Sequence, residues 1–255
     1  MSIQSKNGRL QRLCTALEGL TDGQVGWVEQ VIQVFAKKHT FERAKHSDIV
    51  SSCLLQDFGD ALRIHHCFSK EAFTKDKLEY ALERIANLCS MKAELAPKGN
   101  PGHDITINNQ RLSLKTQADK SLKSDKLHIS KFMELGKGKW GDNEADLIGL
   151  REQFFKHMRS YDRIFSLRNL GRGDSTWHYE LVEIPKKLLM EAKHGRLEMI
   201  HSSTQMPKPG YCYVVDEKEK DKFQLYFDGG GERKLQIKNI DKKLCIIHAQ
   251  WTFMV

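Results

Sequence analysis

The sequence predicts an α/β protein of the α+β kind, a helical N-terminal part packed on a mixed β-sheet, and two contrasts carry that prediction. Up to about Leu95, apolar side chains recur at helical spacing. Beyond the turn-rich stretch Ala96-Pro97-Lys98-Gly99-Asn100-Pro101-Gly102 the pattern changes to short alternating runs broken by Gly, Pro and Asn. With 255 residues, 40% of them hydrophobic, the chain can bury a sizeable core, and it is read as a single domain over 1–255. Within it, 1–95 is mainly helical and 96–255 is β-rich.

Taken in order, the first helix covers Gly8–Leu17, with Leu10, Leu13 and Leu17 as its apolar stripe. Asp22–Lys38 follows with Val25, Val28, Val31, Ile32, Val34 and Phe35, then helical patterns at Ser47–Phe58 and Lys75–Cys89. In the last of these, Leu78, Leu82, Ile85 and Cys89 form one stripe, and Asp76 favours the first turn. Glu79 and Glu83 lie one turn apart beside that stripe. Two runs, Asp104–Ile107 and Arg111–Gln117, then flank an Asn108-Asn109-Gln110 break and read as a hairpin. Helices are expected around Leu127–Leu135 and over Glu144–Ser160, strands near Arg163–Asn169 and His178–Glu183, and a short helix with Pro185 at its first position. Strands at Tyr211–Asp216, Lys222–Phe227, Lys234–Ile237 and Leu244–Phe253 complete the chain.

A net charge of +8 and a pI near 9.1 favour a polyanionic partner. No apolar run approaches the roughly 20 residues of a membrane span, and the N-terminus lacks the apolar core of a signal peptide. The cysteines at 14, 53, 67, 89, 212 and 245 form no CxxC pair and are expected to be reduced, as in a cytoplasmic protein. His65-His66-Cys67 lacks a second ligand pair at zinc-site spacing; Cys67 and one of the histidines are read as core rather than as a metal site.

The hairpin carries the chemistry. Alternation sends Leu112, Leu114 and Thr116 to one face and Arg111, Ser113, Lys115 and Gln117 to the other. Asp104 falls on the polar side of the first strand. A carboxylate and an ammonium on one face, backed by an apolar one, supply a hard oxygen ligand for Mg²⁺ and a cation near an attacking water.

Asp104, the triplet Ser113-Leu114-Lys115 with Thr116 after it, and Glu79 on the upstream helix together resemble the PD-(D/E)XK nuclease superfamily, in particular restriction endonucleases of the MutH and MvaI kind. The resemblance covers roughly Lys75 to Leu135. It implies a restriction-endonuclease-like core, Mg²⁺ as cofactor, double-stranded DNA as partner, and Asp104 and Glu79 as metal ligands. Lys115 would act on the water or the phosphate, and Gln117 would complete the shell. The family usually carries Glu or Asp where this chain has Ser113, and some similar enzymes with Ser there recruit a carboxylate from a helix. Glu79, Asp125 and Glu134 are the candidates for that second acid, with Glu79 preferred. Restriction enzymes often act as homodimers, although the sequence displays no clean interface stripe.

Three further segments suit nucleic acid. Gly136-Lys137-Gly138-Lys139-Trp140-Gly141 sets two lysines between glycines, fit either for a phosphate backbone or merely for turning. The segment around Gln205 and Lys208, and the tip Asp228-Gly229-Gly230-Gly231-Glu232-Arg233-Lys234, are of the kind that reach base edges in the major groove, the plain hairpin being the simpler reading of the tip. The predicted activity is a sequence-specific, Mg²⁺-dependent DNA endonuclease. Its rivals are a DNA-binding protein that has lost catalysis and a non-catalytic interaction protein.

Overall fold

A computed structural model describes residues 6–97, 99–100, 102–119, 122–136, 140–171 and 176–255. The helical part comprises α1 (Lys6–Glu18), α2 (Asp22–Ala36), α3 (Ser52–Phe68) and α4 (Lys75–Leu88), with the short strand β1 (His39–Arg43) between α2 and α3. Then come β2 (Ala93–Leu95), β3 (Ile105–Ile107), β4 (Gln110–Gln117), β5 (Lys126–Glu134), α5 (Asp146–Met158), β6 (Arg163–Asn169), β7 (Thr176–Glu183) and α6 (Lys186–Met190). The remaining strands are β8 (Arg196–Met199), β9 (Gly210–Val215), β10 (Asp221–Asp228), β11 (Lys234–Asp241) and β12 (Ile246–Met254).

The helix starts follow local chemistry. Thr21 and Gln24 form a reciprocal capping box at α2, and the Ser51 hydroxyl accepts from the Leu54 N–H to open α3. In α4 the side chains of Leu78, Leu82, Ile85 and Ala86 are buried, as its stripe requires; truncating the fully covered Leu78 would cost about 2–5 kcal/mol.

The strands make two sheets. The larger has the order β1-β12-β7-β6-β4-β3-β2, mixed because β4 and β6 run parallel while their neighbours are antiparallel. The smaller, β5-β11-β10-β9-β8, is antiparallel throughout. One face of the large sheet, with Ile105, Leu112, Leu114, Phe165 and Leu181, packs with α3 and α4. Ile164 and Val182, from the other face, join the second cluster with α5 and the buried side of the small sheet, including Phe223, Leu225 and Ile237. The large sheet is therefore covered on both faces. The hairpin face read as polar in the sequence is mostly interior here: Ser113 and Gln117 are buried and Lys115 is partly so, while Arg111 alone of the four is exposed.

Four expectations change. The segment Leu127–Leu135 is not a helix but strand β5, whose pairing with β11 shifts register between Leu235 and Ile237 and again between Ile237 and Ile240. Those irregularities break the strict alternation that would have marked a strand. The third helix starts at Ser52 rather than Ser47 and continues to Phe68, and Pro185 caps α6 from outside it. Cys53 and Cys89 are joined in a disulfide, because the packing of α3 beside α4 brings their Cα atoms to 5.7 Å; Cys14, Cys67, Cys212 and Cys245 are free. His66 is buried, stacked on Trp177 and bonded to the Tyr179 hydroxyl, in agreement with a structural role. Among the described residues no helix is long and apolar enough to cross a membrane.

Candidate active site and nucleic-acid interface

The hairpin is closed by Asn108 and Asn109, both at positive φ, 47° and 65°, a conformation that asparagine tolerates and a two-residue turn requires. Pairing of Ile105 with Leu112 sets the register, and just before β3 the Asp104 N–H donates to the Leu112 carbonyl at 2.8 Å. The Asp104 carboxylate is then pinned from β4 itself: its Oδ2 accepts the Leu114 N–H at 2.6 Å. Its Oδ1 faces the start of α4, where the Lys75 ammonium donates to it at 2.7 Å. That ammonium also lies 3.0 Å from Glu79 Oε1, one helical turn further on. Two carboxylate oxygens from separate elements therefore converge on a single positive charge. They line a cleft of about 490 Å³ together with Tyr80, Asn100 and His103.

Lys115 follows Leu114 and turns to the opposite face, where its ammonium sits 5.7 Å from the centre of the Phe132 ring. Burial pushes its pKa down to about 8, and the charges of Asp104 and Glu79 oppose that fall only in part. His157 packs on Phe132 and Tyr161; burial, reinforced by Lys115, holds its pKa near 4, so it is neutral at physiological pH. Among the described residues the buried Tyr161 hydroxyl has no hydrogen-bond partner, and burial raises its pKa.

The structure thus brings Asp104, Glu79 and Lys115 together. Ser113 lies beside them on β4, but its buried hydroxyl has no partner among the described residues. The Gln117 amide is engaged elsewhere: its oxygen accepts from Arg168 Nε at 2.8 Å and its nitrogen donates to the His128 carbonyl. Arg168 in turn is paired with Glu180, both fully buried, which ties Gln117 into the junction between the sheets. Of the other acids considered, Glu134 pairs with Lys131 at 2.9 Å, and Asp125 lines a different cleft with Lys242 and Lys243. Sequence reasoning missed Lys75, His157 and Tyr161. Lys75 left a signal, its i,i+4 spacing from Glu79.

A Ser47–His248–Glu183 chain, with bonds of 2.9 Å at each step, has the outline of a hydrolytic triad. Its serine is buried and also accepts the Val50 N–H, and Glu183 is held by Arg163. It joins the ends of β7 and β12 rather than opening on a substrate.

The family model of the SmaI type II site-specific deoxyribonucleases matches residues 13–253. The chain belongs to that family. The type II restriction enzyme SmaI of Serratia marcescens is 42% identical over 248 residues, covering 97% of this chain and 98% of that enzyme. No solved structure matches.

In this SmaI-family chain the segments singled out for DNA meet at one end of the small sheet. The Trp140 Nε1–H donates to the Lys208 carbonyl, and the Lys208 N–H to the Gly141 carbonyl, each at 2.9 Å. Gln205 donates to Asp228 Oδ1 at 3.4 Å, while Gln236 donates to Asp228 Oδ2 at 3.1 Å. Gly229 is required at its position, since a Cβ there would collide with the Pro207 carbonyl. Arg233, at φ 41°, closes the tip on Gly230, and its carbonyl accepts the Leu135 N–H at 2.7 Å. Lys234 pairs with Glu232 at 3.1 Å, and the Lys208 ammonium is folded back onto the Ser203 carbonyl. Lys137 and Lys139 lie outside the described residues.

Proposed function

We propose that this chain cleaves double-stranded DNA at a specific sequence by Mg²⁺-dependent phosphodiester hydrolysis of the PD-(D/E)XK type. The observation that carries the reading is the convergence of Asp104 and Glu79 on one cation beside a desolvated lysine. Two anionic oxygens aimed at one positive charge, in a cleft open to solvent, are the donor set a hard divalent cation takes. Asp104 and Glu79 would hold it. Such an ion supplies positive charge against the phosphate and acidifies the attacking water.

The protein does the rest. The Leu114 N–H fixes the Asp104 carboxylate against rotation. Lys115, on the next residue, is a cation poised close to neutral pH, suited to orienting the water, exchanging its proton or stabilising charge on the phosphate. Neutral His157 adds no further positive charge beside it. The converged segments around Trp140, Gln205, Lys208 and Arg233 present a surface for the duplex, in keeping with the basic charge of +8. Plasmid cleavage in Mg²⁺, lost in EDTA and restored by excess Mg²⁺, is the expected result. Cleavage that persists in EDTA would remove the metal from the mechanism.

A homodimer completes this reading. One chain offers one such site, whereas a duplex has two strands related by a dyad. Helix α1 buries no side chain and α2 buries only Val34. Leu10, Leu13, Trp27, Ile32 and Phe35 are each about half exposed, although Trp27 packs on Phe68 and Phe35 lies under Arg63. Exposed apolar residues clustered on two neighbouring helices suit a second copy. Light scattering should give twice the 29.4 kDa chain mass, and Trp27→Lys with Ile32→Asp should give one. Wild type running as a monomer at micromolar concentration would refute it.

A further inference from the structure

Lys75 occupies the place where the two acids would hold their ion. Its ammonium lies 2.7 Å from Asp104 Oδ1 and 3.0 Å from Glu79 Oε1. A divalent cation held by the same two oxygens would need the gap that the ammonium fills, so the two cations would exclude one another. We propose that Lys75 is a built-in competitor that fills the cation position in the metal-free protein and must swing out before a divalent cation can bind, a proposal that rests on the reading of Asp104 and Glu79 as metal ligands.

The surroundings fit an exchange. The carboxylates are well covered, 14% and 20% exposed, whereas the lysine side chain is 40% exposed. The acids are therefore fixed and the competitor stands at the mouth, free to turn into water without disturbing α4. Asp104 is held independently by the Leu114 N–H, so it keeps its position when Lys75 leaves. Without any cation, two carboxylates in one partly buried cleft repel each other. Lys75 relieves that repulsion, and this explains how a preformed acid pair persists before metal arrives. Lys115 does not fill this role: its ammonium lies 5.7 Å from the centre of the Phe132 ring, and the ion pairs of Asp104 and Glu79 in the cleft are with Lys75. The cost of the device is affinity: each ion bound must first break the Lys75 pairing, which lowers apparent affinity by the equilibrium of that pairing.

The test is calorimetric titration of Mg²⁺ into the full-length chain without DNA, comparing wild type, Lys75→Met, Lys75→Arg and Asp104→Asn. Lys75→Met should bind about tenfold more tightly than wild type, Lys75→Arg should stay within about twofold, and Asp104→Asn should not bind. Equal or weaker binding by Lys75→Met, with wild type and Asp104→Asn as stated, would overturn the competitor and leave the metal site standing. No binding by wild type or by Lys75→Met would sink the metal reading itself. A second measurement needs no variant: acylation of lysines in wild type, read by mass spectrometry. Mg²⁺ should raise the reactivity of Lys75 severalfold while Lys115 changes little. Unchanged Lys75 reactivity at saturating Mg²⁺ would refute the displacement even if Lys75→Met failed to fold.

Discussion

Replacing Lys115 by Met should abolish cleavage and at the same time make the protein more stable. The ammonium lies over the Phe132 ring and, among the described residues, forms no ion pair. Burial lowers its pKa from 10.5 to about 8. At about 1.4 kcal/mol per decade, the charged form then costs the fold about 3 kcal/mol. The sign follows from the depressed value: the cost is full below pH 8 and fades as pH rises toward 10.5, where the unfolded chain also loses the proton. Methionine matches the aliphatic stem, carries no charge and suits the apolar face of Phe132. Asp104 is not orphaned by the change, since Lys75 and the Leu114 N–H both remain. Urea denaturation should therefore show Lys115→Met more stable by about 3 kcal/mol at pH 7, the gain falling to roughly half by pH 9.5. In a chain of this size that corresponds to a rise of about 6–12 °C in Tm. Turnover on plasmid DNA should drop at least about 100-fold. A variant no more stable than wild type at pH 7, or one whose difference ignores pH, would show that the ammonium is not desolvated. Retention of more than about a tenth of turnover would place the chemistry elsewhere.

Asp104→Asn keeps the acceptor for the Leu114 N–H but removes the charge, so cleavage should fall at least about 100-fold while DNA binding in a gel-shift assay stays within about threefold; a variant that still cleaves at wild-type Mg²⁺ concentrations would exclude Asp104 as a ligand. Ser113→Glu would thrust a carboxylate into a site 1% exposed, whose present hydroxyl already lacks a partner; it should cost about 3 kcal/mol or more in denaturation and bring no gain in cleavage. A large gain would mean that the second acid belongs at 113 and that Glu79 does not supply it. Binding to non-specific duplex should weaken steeply with salt, and Arg233→Ala with Lys234→Ala should flatten the log–log slope by about one to two; an unchanged slope would take the tip of β10 and β11 off the DNA.

What the sequence made legible was local. The hairpin could be read because its turn residues, its alternation and its pairing all lie within a dozen or so positions, and α4 because its stripe recurs each turn. β5 could not, since the register shifts opposite β11 scatter its apolar residues in a way that imitates a helix. β1, β2 and β8 are too short for any period to show; their pairing partners define them. Alternation sorts the residues of β4 into two faces without saying what covers each. Here the second face meets another sheet, which is why Ser113 and Gln117 are buried.

The candidate site shows the same division more sharply. Asp104 and Lys115 could be paired from the sequence because one β-ladder fixes them both, and Glu79 entered only through the resemblance. The role of Lys75 depends on where the start of α4 falls against Asp104, 29 residues away, and no periodicity carries that information. With Lys75 counted, the charges of the cleft's own residues are close to balanced: two carboxylates against one paired ammonium and one that burial makes easy to neutralise. On the proposed reading, a divalent cation displacing Lys75 would leave the site with a surplus of positive charge and a freed ammonium at the mouth; both changes would favour a phosphate, and loading of the ion would then be linked to engagement of the DNA backbone.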